Sequence, residues 1–264
     1  MSLEALIFDV DGTLADTEEA HRHAFNQAFE HHRIGWQWDR DTYRDLLKIT
    51  GGKERLAAYL ARQDLSAAEQ RRLRELLPLV HEEKTACYSR FVAAGGLMLR
   101  PGVARLCGEA LAAGRRLAIA STTTAVNVDR LLQSAFGERG LDMFSVIVCG
   151  DQVRAKKPAP DIYRLALEHL GVQPDGAVAF EDSVNGLRAA HGAGVWTVVT
   201  PTPWTEGDDF SAAELLLPHL GDPGEPLAGE PGGQLQDAAW LGFAELERRA
   251  DRRARNPVAA LYAA

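Results

Sequence analysis

Hydrophobic positions along this chain follow two rhythms, and the change from one to the other divides it. Residues 5–8, Ala-Leu-Ile-Phe, are apolar without a break, as in a strand buried on both faces of a parallel sheet. After Leu14 the period becomes helical. A helix is predicted over 17–33, with Asp16 or Thr17 as cap and Glu18 and Glu19 in the first turn, where acidic groups suit the positive end of the helix. Stretches 39–48, 53–62 and 66–94 continue as helices, each opened by a capping or glycine signal. No strand pattern returns until about residue 116. From there strands over 116–120, 144–149, 177–180 and 195–199 alternate with helices near 126–136, 161–170 and 185–193. That alternation predicts an α/β fold with a doubly wound parallel sheet. A lone strand cannot bury two faces, so the first strand belongs to this sheet and the helical block is an insertion. The expected organisation is a core from 1–16 and 94–220, a helical cap over 17–93, and an extension over 221–264. The extension starts as a Pro/Gly-rich linker, 222–234, and continues as a helix predicted over 238–253 and a plain tail.

Composition removes several classes of function. The 264 residues carry a formal net charge of −8, which argues against nucleic acid or an anionic membrane surface as the main partner. An acidic chain that binds phosphate esters must concentrate its cations locally. Cys87, Cys107 and Cys149 are widely spaced and form neither a disulfide framework nor a Cys-x-x-Cys metal site. Buried, reduced thiols and a cytoplasmic location are expected. No apolar run approaches the ~18 residues of a membrane span, and the first strand starts so near Met1 that no targeting peptide is expected.

The chemistry concentrates where apolar strands end. Phe8-Asp9-Val10-Asp11-Gly12-Thr13 sets two carboxylates two residues apart, facing one side of an extended segment, and Gly12 lets the backbone turn sharply. Open α/β sheets place ligands at these strand ends, and two like charges there need a cation or a shared proton. Val178-Ala179-Phe180-Glu181-Asp182 repeats the device. Ser121 and Thr122 leave the second strand as hydroxyls able to bond a phosphoryl oxygen. Lys156-Lys157-Pro158-Ala159-Pro160-Asp161 holds a lysine pair in a rigid loop, which turns an ordinary solvated charge patch into an oriented cation. Inside the insertion, Thr50-Gly51-Gly52-Lys53-Glu54-Arg55 offers backbone N–H groups and two cations to a second anion. The plain alternatives are a connecting loop for Gly51-Gly52-Lys53, a structural role for His21, and core packing for Trp36 and Trp38.

These motifs, in this order, resemble the haloacid dehalogenase superfamily of aspartate-nucleophile phosphotransferases, which implies a Rossmann-like core with an inserted helical cap. The resemblance implies Asp9 as nucleophile, Asp11 as general acid and base, Ser121 as phosphoryl-binding hydroxyl, and Lys157, which directly precedes a proline, as the catalytic cation. It also implies Mg²⁺ as cofactor, held by Asp9, Asp182 and the carbonyl of Asp11, with Glu181 acting through a water. Residues 1 to about 205 resemble more narrowly the CbbY subgroup of Calvin-cycle phosphatases, which act on xylulose 1,5-bisphosphate, an inhibitor of Rubisco. The residues that carry this are Asp39 to Leu47, Thr50 to Arg55, Thr122-Thr123-Thr124 with Asn127, and Lys156 to Tyr163. By that resemblance Glu18, His21, Tyr43, Gly51, Gly52, Lys53, Arg55, Thr122, Asn127 and Lys157 contact a small sugar bisphosphate, and a monomer is expected. β-Phosphoglucomutase shares the four motifs, which leaves a sugar-phosphate mutase or a general sugar monophosphatase as alternatives. The Gly51-Gly52-Lys53 loop favours the phosphatase. A ligand-sensing relative without catalysis usually lacks Asp9, Asp11 or Lys157, and all three are present.

Overall fold

The computed structural model describes residues 3–227, 234–235 and 238–255. Its strands are β1 (Ala5–Phe8), β2 (Arg116–Ser121), β3 (Phe144–Cys149), β4 (Ala177–Glu181), β5 (Trp196–Val199) and β6 (Leu215–Leu216). They form one six-stranded sheet in the order β3-β2-β1-β4-β5-β6, and every pairing is parallel. β1 lies in the middle, with Phe8 opposite Ile119 of β2 and Phe180 of β4. The Phe8 and Phe180 rings stack with centroids 4.4 Å apart. This register sets the residues that follow β1, β2 and β4 side by side at one edge.

Helices α1 (Glu18–His31), α2 (Arg40–Leu47), α3 (Gly52–Ala61) and α4 (Ala67–Ala93) come next after β1, and α5 (Val103–Ala112), α6 (Ala125–Phe136), α7 (Asp161–Leu170), α8 (Val184–Gly192) and α9 (Phe243–Arg255) complete the set. The uninterrupted apolar strands have two faces to cover, as their sequence requires. Leu6, Phe8, Leu117, Ile119 and Val178 pack with residues of α5, α6 and α9. Ala5, Ile7, Ala118, Ala120 and Ala179 pack on the other face with residues of α7 and α8. The inserted helices bury a separate cluster that includes Phe25, Phe29, Trp38, Tyr43, Leu56, Leu60 and Leu77. The Asn26 side chain clasps the Trp38 backbone, accepting from its N–H at 2.8 Å and donating to its carbonyl at 2.9 Å. Trp38 is fully buried there and Trp36 packs at the margin.

Three features differ from the sequence expectation. α5 and the short β6 were not predicted: β6 has two residues, too few for a period, and α5 directly follows Pro101-Gly102, which reads as a turn. The last helix starts at Phe243, five residues later than 238, because Ala239 and Leu241 are used as extended partners of Leu227 and Leu220. The Pro/Gly-rich stretch is also more than a linker. Asp222 and Glu225 bond each other's backbone, and Leu227, Leu235, Leu241 and Phe243 join the core beside α5. Residues 228–233 of that stretch, and the tail from 256, lie outside the described residues.

Candidate active site

Asp9 leaves β1 with its N–H bonded to the Phe180 carbonyl at 3.0 Å. Its carboxylate meets Lys157, whose Nζ donates to Asp9 Oδ1 at 2.7 Å and to Glu181 Oε1 at 2.6 Å. The Tyr163 hydroxyl, from α7, donates to the same Glu181 oxygen at 2.5 Å. Asp9, Glu181 and Asp182 are buried and each offers an oxygen within 4.8 Å of the others. Two of these three carboxylates, Asp9 and Glu181, thus share one ammonium. Burial pushes Asp9 up to about 7, with Lys157 opposing and Glu181 and Asp11 adding to the rise. Burial, then Asp9 and Glu181, hold Asp182 far above the usual carboxylate range. Glu181 Oε2 is buried without a protein partner. An all-oxygen cluster with surplus negative charge fits a hard divalent cation, and these residues could hold one. Gly12 makes the arrangement possible. Its φ is +81°, and a Cβ there would sit 2.2 Å from Asp182 Oδ2.

Asp11 points toward the inserted helices. Thr17 Oγ1 donates to Asp11 Oδ1 at 2.7 Å, and His21 Nε2 lies 2.9 Å from the same oxygen. Behind it, Lys84 Nζ is 2.9 Å from His21 Nδ1. Burial and the Lys84 charge hold His21 below its ordinary value, so we assign a neutral ring that donates from Nε2 to Asp11 and accepts at Nδ1 from Lys84. Burial opposes the Asp11 charge, yet His21, Thr17 and Lys84 together hold that carboxyl well below the usual range. The Asp11 side chain is therefore outside the acidic trio, which leaves its carbonyl for any role toward a cation.

The cavity above these residues has two halves. One is lined by Asp9, Asp11, Glu18, Ser121, Lys157 and Asp182. The other is lined by Gly51, Gly52, Lys53, His81, Lys84 and Lys156, and by Thr122 and Asn127. Asp11, Arg55 and Thr122 line both. Arg55 is tied in place by its Nε to the Ile49 carbonyl at 2.9 Å and by Nη1 to Tyr43 Oη at 3.3 Å. Tyr43 in turn donates to Glu18 Oε2 at 2.7 Å. Lys53 is looser, 3.5 Å from Asp151 with both side chains more than half exposed. Asn127 is buried and bonds Thr123, but its Oδ1 has no partner.

A family model, haloacid dehalogenase-like hydrolase, matches residues 3–194. The chain belongs to that family. Protein CbbY of Cupriavidus necator is 52% identical over 225 residues, covering 85% of this chain and 89% of the relative. The crystal structure of CbbY from Rhodobacter sphaeroides with phosphate superposes with a TM-score of 0.76 at 48% identity, covering 82% of this chain and 94% of that one. A mutant of the same enzyme has been crystallised with xylulose 1,5-bisphosphate, also at a TM-score of 0.76, with 47% identity and the same coverage. This haloacid dehalogenase-like hydrolase is therefore a phosphatase of the CbbY type.

Several lining residues of this hydrolase were not legible from its motifs. His81 and Lys84 sit one helical turn apart on α4, in a long helix whose many charges hide them. Trp204 and Thr205 enter from the segment after β5, where Pro201 and Pro203 suggest only a loop. Asn185 reaches across to the Lys48 carbonyl and to Thr50 Oγ1, both at 3.0 Å. Tyr163, on Glu181, follows the Lys156–Asp161 loop as one more apolar-face position of α7, and its hydroxyl's partner is defined only by the fold. Among the described residues no helix is long and apolar enough to cross a membrane.

Proposed function

We propose that this CbbY-type hydrolase removes a phosphate from sugar phosphates through an aspartyl phosphate on Asp9, with Mg²⁺, and that its substrate is xylulose 1,5-bisphosphate. The observation that carries the reading is the two-ended cavity: an acidic, metal-fitting end at Asp9 and a cationic end at Lys53, Lys84 and Lys156, joined through Arg55 and Thr122. A ligand with one anionic group at each end suits that charge layout. The bisphosphate found with the Rhodobacter sphaeroides mutant has this form.

Asp9 is the nucleophile. Lys157 holds its Oδ1, which fixes the carboxylate and leaves Oδ2 to attack phosphorus in line. A carboxylate approaching a phosphate dianion is repelled by several kcal/mol at an effective dielectric near 20, so the positive charge of Lys157 is required at that point. Asp9, Asp182 and the Asp11 carbonyl would hold Mg²⁺, with Glu181 placed behind them. Mg²⁺ supplies charge neutralisation at the transferring phosphoryl oxygens. Ser121 and Thr122, at the exit of β2, line the same end and offer hydroxyls to those oxygens. Asp11 gives a proton to the departing sugar oxygen, and the nearby phosphate dianion favours its protonated form for that step. In the second step Asp11, held as carboxylate by Thr17 and His21, takes a proton from the water that cleaves the aspartyl phosphate.

Phosphate release with Mg²⁺ across xylulose 1,5-bisphosphate, xylulose 5-phosphate and glucose 1-phosphate tests this. The bisphosphate should show the highest kcat/KM by at least tenfold. Equal turnover of all three would make the enzyme a general sugar monophosphatase. Interconversion of glucose 1- and 6-phosphates would make it a mutase.

A further inference from the structure

The cationic end of the cavity contains an imidazole, His81, set among three lysines. Resting on the bisphosphate reading above, we propose that His81 determines specificity there: it meets the phosphate remote from Asp9 as a hydrogen-bond donor, and binding of a sugar bisphosphate takes up a proton from solvent onto this ring.

The geometry comes first. α3 begins at Gly51-Gly52, and the absence of side chains there lets two groups close in from opposite elements. A Cβ on Gly51 would lie 2.0 Å from Glu54 Oε2 and 2.9 Å from Lys156 Nζ, and a Cβ on Gly52 would lie 2.8 Å from His81 Nε2. The imidazole of α4 and the ammonium of the loop before Pro158 thus flank the free N–H groups of α3, lining the cavity with Lys53. Lys156 is engaged with Glu54 at 2.8 Å and Lys53 faces Asp151 at 3.5 Å. Among the described residues the His81 ring nitrogens have no hydrogen-bond partner, while its backbone carbonyl accepts from Thr85 Oγ1 at 2.9 Å. The buried Asn127 Oδ1 and Thr124 Oγ1 lining the same space are also unpartnered. An unsatisfied ring beside unsatisfied buried oxygens marks a place where a ligand's polar groups complete the structure.

Charge then fixes the direction of the response. The groups facing His81 are Lys84 on its own helix, Lys53 on α3, Lys156 on the loop and, opposing them, Asp151. Burial and the three lysines push the ring down from its ordinary 6.5 to about 4, with Asp151 pulling the other way. It is neutral near pH 7 while the cavity holds no anion. A phosphate dianion among the same lysines reverses the field at the ring and stabilises imidazolium. A monoester bound at Asp9 has no group at that distance, so the proton is taken up only with a bisphosphate. No bond other than N–H forms or breaks at His81, and the proton comes from water.

The experiment pairs kinetics with calorimetry. Wild type, Lys53→Ala, His81→Gln and His81→Asn are assayed on xylulose 1,5-bisphosphate and p-nitrophenyl phosphate. The ratio of the two kcat/KM values should fall about tenfold in both His81 variants, the difference between a charged and a neutral hydrogen bond. A ratio unchanged by His81→Gln but lowered by Lys53→Ala overturns the assignment of His81 alone. A wild type with no preference, unaffected by Lys53→Ala, overturns the bisphosphate reading beneath it. Equal loss on both substrates shows a structural role and also overturns the assignment. Binding of xylulose 1,5-bisphosphate to the Asp9→Asn protein is then measured at pH 7 in two buffers of different ionisation enthalpy. About one fewer proton should be taken up when His81→Gln is added. The same uptake in both proteins places the proton elsewhere and refutes the proposal.

Discussion

The two ends of the cavity are built in opposite ways. At the strand end, side chains leave β1 and β4 and the loop before α7, and their contacts run from 2.5 to 2.7 Å among buried groups. At the cap end, Lys53 reaches Asp151 only at 3.5 Å, with both side chains more than half exposed. The first end has carboxylates in surplus, the second ammonium and guanidinium groups. A sheet register holds positions to fractions of an ångström because a one-residue slip would move every side chain to the wrong face. Helices on a separate apolar cluster have no such constraint. On the proposed function, chemistry that tolerates little misplacement sits on the rigid side, and recognition, which must admit and release a ligand, sits on the adjustable one. On the same reading, a chain of net charge −8 draws in an anion through cations gathered on one wall.

The comparison breaks most visibly if the strand end is altered. Asp9→Asn should lower kcat by roughly four orders of magnitude or more, since an amide in place of the carboxylate cannot form the acyl phosphate, while circular dichroism and Tm change little. Retention of even a tenth of wild-type kcat would exclude the covalent route. Lys157→Ala should show how far this end depends on one cation. It leaves Asp9 and Glu181 buried together without the ammonium between them, and breaking a buried pair costs about 3–5 kcal/mol. For a chain of this size that is a fall in Tm of about 10 °C. A shift under 3 °C would mean that the carboxylates are neutralised in another way.

Reading the sequence reached the two ends unequally, for the same physical reason. β1, β2 and β4 are continuous apolar runs that end in Asp9, Ser121 and Glu181, so a parallel sheet and its ligand edge follow from period and position. Gly12, which a Cβ would drive into Asp182, is similarly forced by its neighbours. The cap end is assembled from α1, α3, α4 and the loop at Lys156, and nothing local ties these segments together. His21 and Lys84 are 63 positions apart yet 2.9 Å in contact. Lys84, buried and lowered to about 8, looked in sequence like one more charge on a polar helix. Trp204 packs edge-on against Tyr43 at 5.5 Å between centroids, a contact between the segment after β5 and α2 that only the folded chain defines. α9 was legible as an amphipathic helix, and its role in closing the core beside α5 was not.

Between the two ends stand Asp11 and Arg55. Asp11→Asn removes a proton carrier, and general acid–base catalysis contributes about 10²–10⁴-fold. The loss should be near the upper figure for a sugar phosphate and at least tenfold smaller for phosphoryl transfer from p-nitrophenyl phosphate to Asp9, whose leaving group needs little protonation. Pre-steady-state bursts of nitrophenol measure that first step, and equal losses on both substrates would remove Asp11 as the acid. Arg55→Ala takes a charged hydrogen-bond donor from the junction, at about 1.5–3 kcal/mol. A ten- to hundredfold fall in kcat/KM on xylulose 1,5-bisphosphate is expected. Because Tyr43 and Glu18 lose their partner as well, Arg55→Lys should restore less than half of the lost free energy, as an ammonium cannot reproduce the guanidinium fork. Full recovery by lysine would reduce Arg55 to a simple positive charge.

The smallest effect concerns the cap end in the absence of ligand. His81 is held at about 4, against an ordinary 6.5, by burial and by Lys84, Lys53 and Lys156. A folded-state value below the unfolded one means that the unfolded chain takes up this proton first as the pH falls. The folded state therefore keeps the full benefit of a neutral ring above about pH 6.5 and loses it progressively from there down to pH 4. Between pH 7.5 and 5.5 the loss is about 1 kcal/mol, or about 2 °C in Tm for a chain of this length. Other groups titrate in the same range, so the informative quantity is a difference. Wild type should lose about 2 °C more than His81→Gln when both are melted at the two pH values, in the same low-salt buffer and without Mg²⁺ or phosphate. Adding salt should shrink that difference only slightly, because burial is the largest cause and screening acts mainly on the exposed Lys53. Parallel melting of the two proteins across this range would show that the ring is already charged, and the contrast between an acidic strand end and a cation wall that holds a neutral imidazole would have to be redrawn.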